Sequence, residues 1–131
     1  NMQLLTGVNN VMKSLKLDVP WVNKMKKHEF NPLHRHSGLF SYVMWIEIPF
    51  DLQEELNFFK DSKQAHTSLF EFAYPTSIGT QLADIYVDKS YEGELIIFPA
   101  YQMHCVYPFY TADKERISIA GNVNFMHKQN N

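Results

Sequence analysis

From Trp21 onward, short aromatic and β-branched segments alternate with clusters of turn residues, a rhythm that leaves room for little besides an all-β domain. Trp21 to Met25 is short and apolar, and Leu39 to Ile48 (LFSYVMWIEI) is apolar on both faces and stopped by Pro49. Ser68 to Tyr74 (SLFEFAY), Gln81 to Val87 (QLADIYV), Glu94 to Phe98 (ELIIF), Cys105 to Tyr107 and Arg116 to Asn124 (RISIAGNVN) follow. Such residues fit a pleated, half-buried surface, and six or more short strands in one chain predict a sandwich or jelly roll. Ahead of them Leu4, Val8, Val11 and Leu15 recur at helical spacing until Asp18-Val19-Pro20. That spacing predicts an amphipathic helix over 1–18, packed by its apolar stripe on one sheet.

The 131 residues, 45% of them apolar, suffice for a single domain with its own core. We expect 1–131 to be that domain, with a β-core over 19–125. A net charge of −2 lacks the basic excess of a nucleic-acid or anionic-membrane surface, so neither partner is expected. No apolar run approaches the ~20 residues of a membrane span, and no signal-peptide core is evident. Cys105 is the only cysteine, which excludes an intrachain disulfide and points to a reducing, cytoplasmic home. The chain opens on Asn1 and reads as a trimmed piece of a slightly longer protein.

The segment 50–67 breaks the strand rhythm. It is long and charged (FDLQEELNFFKDSKQAHT), and reads as a polar insertion: a short helix, a lid or a flexible loop.

His34 and His36 lie one residue apart in NPLHRHSG. In an extended segment residues i and i+2 point to the same side, so both imidazoles can converge on one ion. Neutral imidazole is a common ligand for Fe, Zn, Cu and Ni, although Asn-Pro and Ser-Gly also suit a polar turn. His104, after the strand ELIIF and the turn at Pro99, is the candidate third ligand. His28 and His127 sit in Lys-flanked contexts and His66 in the insertion, so all three are expected at a solvated surface. Cys105 would point away from His104 and is expected to pack in the core. On the last strand Arg116, Ser118, Ala120 and Asn122 share one face, Ile117, Ile119 and Val123 the other. The polar face either meets water or lines a cavity, and in a cavity an Arg and a Ser would suit a carboxylate.

The ordered set His34-x-His36, Phe98-Pro99 through His104, and Arg116-x-Ser118 resembles the 2-oxoglutarate/Fe(II)-dependent oxygenase superfamily. More narrowly it resembles a branch of small oxygenases with N-P-x-H-x-H, G-x-L-x-x-F-P-x-x-x-x-H and R-I-S-I-x-x-N, over residues 20–125. The resemblance implies a double-stranded β-helix, a cupin-like jelly roll with a metal near one mouth. It implies Fe(II) on His34, His36 and His104 as catalytic ligands, with 2-oxoglutarate and O₂ as co-substrates and ascorbate as an optional reductant. Arg116 would bind the far carboxylate of 2-oxoglutarate, Ser118 would assist, and Asn122 would lie deeper on that face. Trp45, Tyr42, Phe98 and Tyr101 would wall the cavity, with Tyr42 a co-substrate contact. The superfamily usually presents H-x-D or H-x-E, whereas His36 stands here. Either His36 ligates, which we favour, or a carboxylate comes from Glu47, Glu71 or Asp84, or the site is degenerate.

Two rival readings remain. A cupin-type metal-dependent dioxygenase or isomerase of a small metabolite shares the jelly roll, yet its first motif wants a Glu where Leu39, Phe40 and Ser41 stand, and Arg116 has no role in it. A degenerate jelly-roll binding protein would leave the histidines incidental. The substrate, small molecule or peptidyl side chain, stays open. So does oligomeric state, with a homodimer paired through exposed sheet edges one route.

Overall fold

The computed structural model describes residues 15–63 and 66–126. Nine strands form two antiparallel sheets: β1 (Leu15–Leu17), β2 (Trp21–Met25), β3 (Asn31–His34), β4 (Phe40–Glu47), β5 (Leu69–Thr76), β6 (Gly79–Tyr86), β7 (Leu95–Pro99), β8 (Met103–Val106) and β9 (Arg116–Phe125). In the first sheet β1 and β2 lie along the same edge of β9, followed by β4 and β7; the second runs β3-β8-β5-β6. The chain is mostly β, as its sequence predicts, and the paired sheets fit a jelly roll. Between them pack Val43, Trp45, Ile48, Phe50, Phe70, Phe98 and Phe109.

Two strands were not expected. β3 carries Pro32, and a proline within an apolar run argues against a strand. It is tolerated because β3 is the edge of its sheet and pairs only with β8, through a register irregularity between Asn31 and His34. The other is β1. Most of the helix expected over 1–18 lies outside the described residues, but its last turn, Leu15–Leu17, is a strand. Leu15 pairs with Phe125 and Leu17 with Val123, so the open edge of β9 satisfies these backbone groups better than one isolated helical turn.

The segment 50–67 contains one helix, α1 (Leu52–Phe58), capped by Asp51, which accepts from the Gln53 and Glu54 amides at 2.8 and 3.1 Å. Among the described residues no helix is long and apolar enough to cross a membrane. Glu55 of α1 is fully buried. Its carboxylate accepts from the backbone amides of Tyr110 (2.9 Å) and Thr111 (2.7 Å), and from the hydroxyls of Thr111 and Thr67. One side chain therefore ties the helix to the loop before β9. We expect Glu55→Ala to cost about 3 kcal/mol or more, because it strands several buried donors. Glu55→Gln should cost less, as one acceptor oxygen remains. Urea unfolding midpoints of the three proteins check this ordering.

Candidate metal centre and cavity

Strand register builds the site. His34 of β3 stands directly opposite His104 of β8, which in turn stands opposite Phe72 of β5. The His34 and His104 rings lie 4.2 Å apart, and each is 5.1 Å from the ring of His36. His36 sits just past β3 in a loop rather than on the strand. Its amide donates to the Ala100 carbonyl at 2.8 Å, and its ring lies 5.8 Å from Trp21. Gly38 then turns the chain into β4 at φ +116°, where a Cβ would run into Asn124.

One nitrogen of each of the three imidazoles lies within 4.8 Å of the others, and no carboxylate joins them among the described residues. His34 Nδ1 is 2.7 Å from the Pro32 carbonyl, and His104 Nδ1 is 2.9 Å from the Gln102 carbonyl. A carbonyl only accepts, so both Nδ1 atoms carry the hydrogen and both Nε2 atoms keep a lone pair. That is the usual way a protein fixes the tautomer and ring angle of a ligating histidine. Phe98 (4.8 Å), Phe70 (5.4 Å) and Phe72 (6.3 Å) surround the His104 ring. Burial there pushes its pKa down to about 4, helped by His34 and His36 and opposed by the Gln102 bond. His36 is lowered too, by burial first and then by His34. The donor set therefore fits an Fe(II) ion, and equally the other divalent metals that imidazole takes.

The cavity runs from these histidines toward Arg116. Its volume is about 80 Å³, room for roughly three waters or for the carboxylate end of a small acid that displaces them. Three cross-strand layers line it: Trp21 and Val43, on either side of Ala120; then Asn23, Ser118 and Trp45; then Met25 and Arg116. Arg116 is only 3% exposed. Its Nη2 donates to the Tyr107 carbonyl at 3.1 Å and meets the Met25 sulfur, and Nη1 reaches the Ser68 carbonyl at 3.4 Å. Ser68 presents that carbonyl from a left-handed conformation, φ +55°. The guanidinium also lies 5.5 Å from the Phe109 ring and 6.0 Å from that of Phe50. No carboxylate of the described residues pairs with it directly. Burial lowers its pKa to about 10, opposed by the charge of Glu55, so it is a cation at neutral pH.

Other candidates fall elsewhere. Trp45 and Phe98 line the cavity. Tyr42 does not: β4 buries Ser41, Val43 and Trp45 inward, and the Tyr42 ring lies on the opposite face over Gly121, where a Cβ would collide with it. Tyr101 is exposed beneath the Arg35 guanidinium, 5.2 Å away. Asn122 shares the inward face but lies at the far end of β9 from Arg116, outside the cavity wall, where its carbonyl accepts from Ser41 at 2.7 Å. Glu47 faces Lys114 at 4.0 Å, while Glu71 and Asp84 pair across the outer face of the second sheet. Cys105 points to that outer face rather than into the core, 3.6 Å from Glu71. His28 is exposed; His66 is only partly so, packed 5.0 Å from the Tyr107 ring; His127 lies outside the described residues. Trp21, Asn23, Met25 and Asn31 also line the cavity, and the alternation Trp-x-Asn-x-Met was the signal for the first three.

The family model described as "Putative 2OG-Fe(II) oxygenase" matches residues 19–122, and the chain belongs to that family. Among curated proteins nothing matches the chain. Among solved structures, a cupin domain from Bordetella pertussis Tohama I is similar at 14% identity and a TM-score of 0.38, over 87% of this chain and 83% of that one. That superposition is too loose to transfer any role to a residue here.

The low pKa of His104 has a consequence for the metal-free protein. The unfolded chain takes up a proton near the usual 6.5, while the folded chain refuses it until about 4. Stability should thus be unaffected above ~6.5 and fall as pH drops toward 4, by on the order of 2 kcal/mol. In His104→Leu that part of the slope should vanish, read from urea midpoints across the pH range.

Proposed function

We propose that this protein is an Fe(II)- and 2-oxoglutarate-dependent hydroxylase whose metal is held by His34, His36 and His104. The observation that carries this reading is the pairing of a three-histidine cluster with a buried cation at the other end of one small cavity. A short dicarboxylate suits that arrangement, with one end at the metal and the other at Arg116. When bound, the iron and 2-oxoglutarate couple decarboxylation of the co-substrate to oxidation of a substrate C–H bond by O₂.

The chain supplies the rest. Pro32 and Gln102 hold the His34 and His104 rings with their lone pairs turned inward. The guanidinium of Arg116 offers a planar fork to a carboxylate, already desolvated and fixed by the Ser68 and Tyr107 carbonyls. Ser118, one layer nearer the histidines, adds a hydroxyl donor. Trp45, Phe70 and Phe98 exclude water, which strengthens every charge interaction inside. With three neutral ligands in place of two and a carboxylate, the centre carries one more positive charge than the usual triad. Such a centre should hold the dianionic co-substrate tightly. The substrate is a small molecule or a peptidyl side chain that reaches the open positions beside the histidines.

Titration calorimetry with Co(II) or Ni(II), and then with 2-oxoglutarate, tests the ligand set apart from turnover. His104→Ala should lose metal affinity by at least about 100-fold, more than the loss of an outer-shell partner causes. Arg116→Met should keep the metal but weaken 2-oxoglutarate by about 10- to 100-fold. Succinate formation with Fe(II) should be slow in the parent protein and nearly absent in both variants. Equal background in all three would sink the hydroxylase reading. Tight 2-oxoglutarate binding without succinate would make the protein a binding module built on the same site.

A further inference from the structure

An antiparallel sheet whose outer face meets water alternates apolar residues inward with polar residues outward. The first sheet breaks this rule. Its inward positions build the core and the cavity, yet its outward positions are apolar as well. Register sets Val22, Ile119, Met44 and Leu95 in one row across β2, β9, β4 and β7. Two rows on, Leu17, Val123 and Phe40 repeat the pattern. Between these rows Tyr42 leans over Gly121, where a Cβ would collide with its ring, so the centre of the face stays level. Among the described residues of these rows the charged ones are Lys24 and Glu47, which flank Ile117 at one end of the face.

Leu17, Val22, Phe40, Leu95, Ile97 and Phe125 of this face are 42 to 68% exposed. They leave on the order of 700 Å² of apolar surface in water, above the ~300–600 Å² of the largest patch on an ordinary monomer and close to the ~800 Å² that each partner brings to a stable interface.

The shape of the face selects its occupant. Four strands abreast at ~4.8 Å span about 15–20 Å, nearly twice the ~10 Å width of one helix. One segment laid across it, residues 1–14 included, therefore leaves much of the face wet, whereas a second sheet covers it whole. Another copy of this chain brings a sheet of identical width. Lys24 and Glu47 carry opposite signs, so two such faces meet without net repulsion.

We propose that this face is the interface of a homodimer, in which the first sheets of two copies pack face to face about a two-fold axis. Strands β4 and β9 then serve two purposes, with the cavity on one side and the partner on the other. The contact uses neither the three histidines nor Arg116.

Sedimentation equilibrium of the full chain from ~1 to ~100 μM, a range that spans micromolar dissociation constants, should reveal a species of twice the chain mass. Ile97→Lys on β7 and Val22→Lys on β2 lie at opposite sides of the face, each at a position 59% exposed. Either change alone should weaken association by at least ~100-fold, because it buries a charge against apolar side chains. Leu82→Lys, at a comparably exposed position (53%) on the second sheet, should leave association unchanged, as should His104→Ala. A parent chain that is monomeric at ~100 μM overturns the proposal and leaves residues 1–14 or another partner as the cover. A dimer that yields to only one of Ile97→Lys and Val22→Lys is paired edge to edge, and a dimer that yields to Leu82→Lys is paired through the other sheet; both outcomes overturn it. If either lysine variant fails to fold, Leu95→Lys stands in for the first and Leu17→Lys for the second.

Discussion

A guanidinium kept out of water, with no carboxylate of the described residues in direct contact, is the constraint that organises one end of this barrel. Arg116 cannot shed its charge at neutral pH, so the surrounding chain must meet its donors with dipoles and rings. The Ser68 carbonyl does so from a left-handed backbone, the Tyr107 carbonyl from the start of the β8–β9 loop, and Phe50 and Phe109 offer their faces. Glu55 supplies the compensating field from behind while fastening that same loop to α1. Segment 50–67 thus contributes a wall behind the cavity floor, and its helix exists to carry one carboxylate inward.

At the other end the ordering principle is neutrality. Burial favours the uncharged ring at His36 and His104, and backbone carbonyls hold Nδ1 of His34 and His104. A donor that is already unprotonated meets a cation without first having to release a proton. The two ends therefore differ in kind: one holds a fixed charge, the other a set of lone pairs. A ligand that spans them must be anionic at one end and able to chelate at the other.

Much of this was legible in the sequence because strands announce themselves by alternation and by the turn residues between them. The inward set Arg116, Ser118 and Ala120 followed from parity alone. Asn122 followed it too, but parity gives a face and not a depth, and the cavity ends before that layer. Parity failed for Tyr42 because β4 is apolar on both sides, so nothing in LFSYVMWIEI says which face is inward. The spacing Leu4, Val8, Val11, Leu15 fits a helix, yet Leu15 joins a sheet, since an open ladder on β9 outweighs local propensity. Pro32 hid β3 in the same way, by a local rule that an edge position relaxes. His66 and Glu71 were read singly, and only the fold brings them together.

That edge proline has a consequence for the molecule among its neighbours. Strand β3 carries His34, one of the three clustered histidines, on the open rim of a sheet, the place where an incoming chain would otherwise add itself by backbone pairing. With four residues, one of them lacking an N–H, and a register irregularity before His34, β3 makes a poor template for another strand. The histidine rim is in this sense insulated from intermolecular pairing. Self-association through sheet edges would fall to β1, β2, β6 or β7, leaving the mouth of the cavity clear.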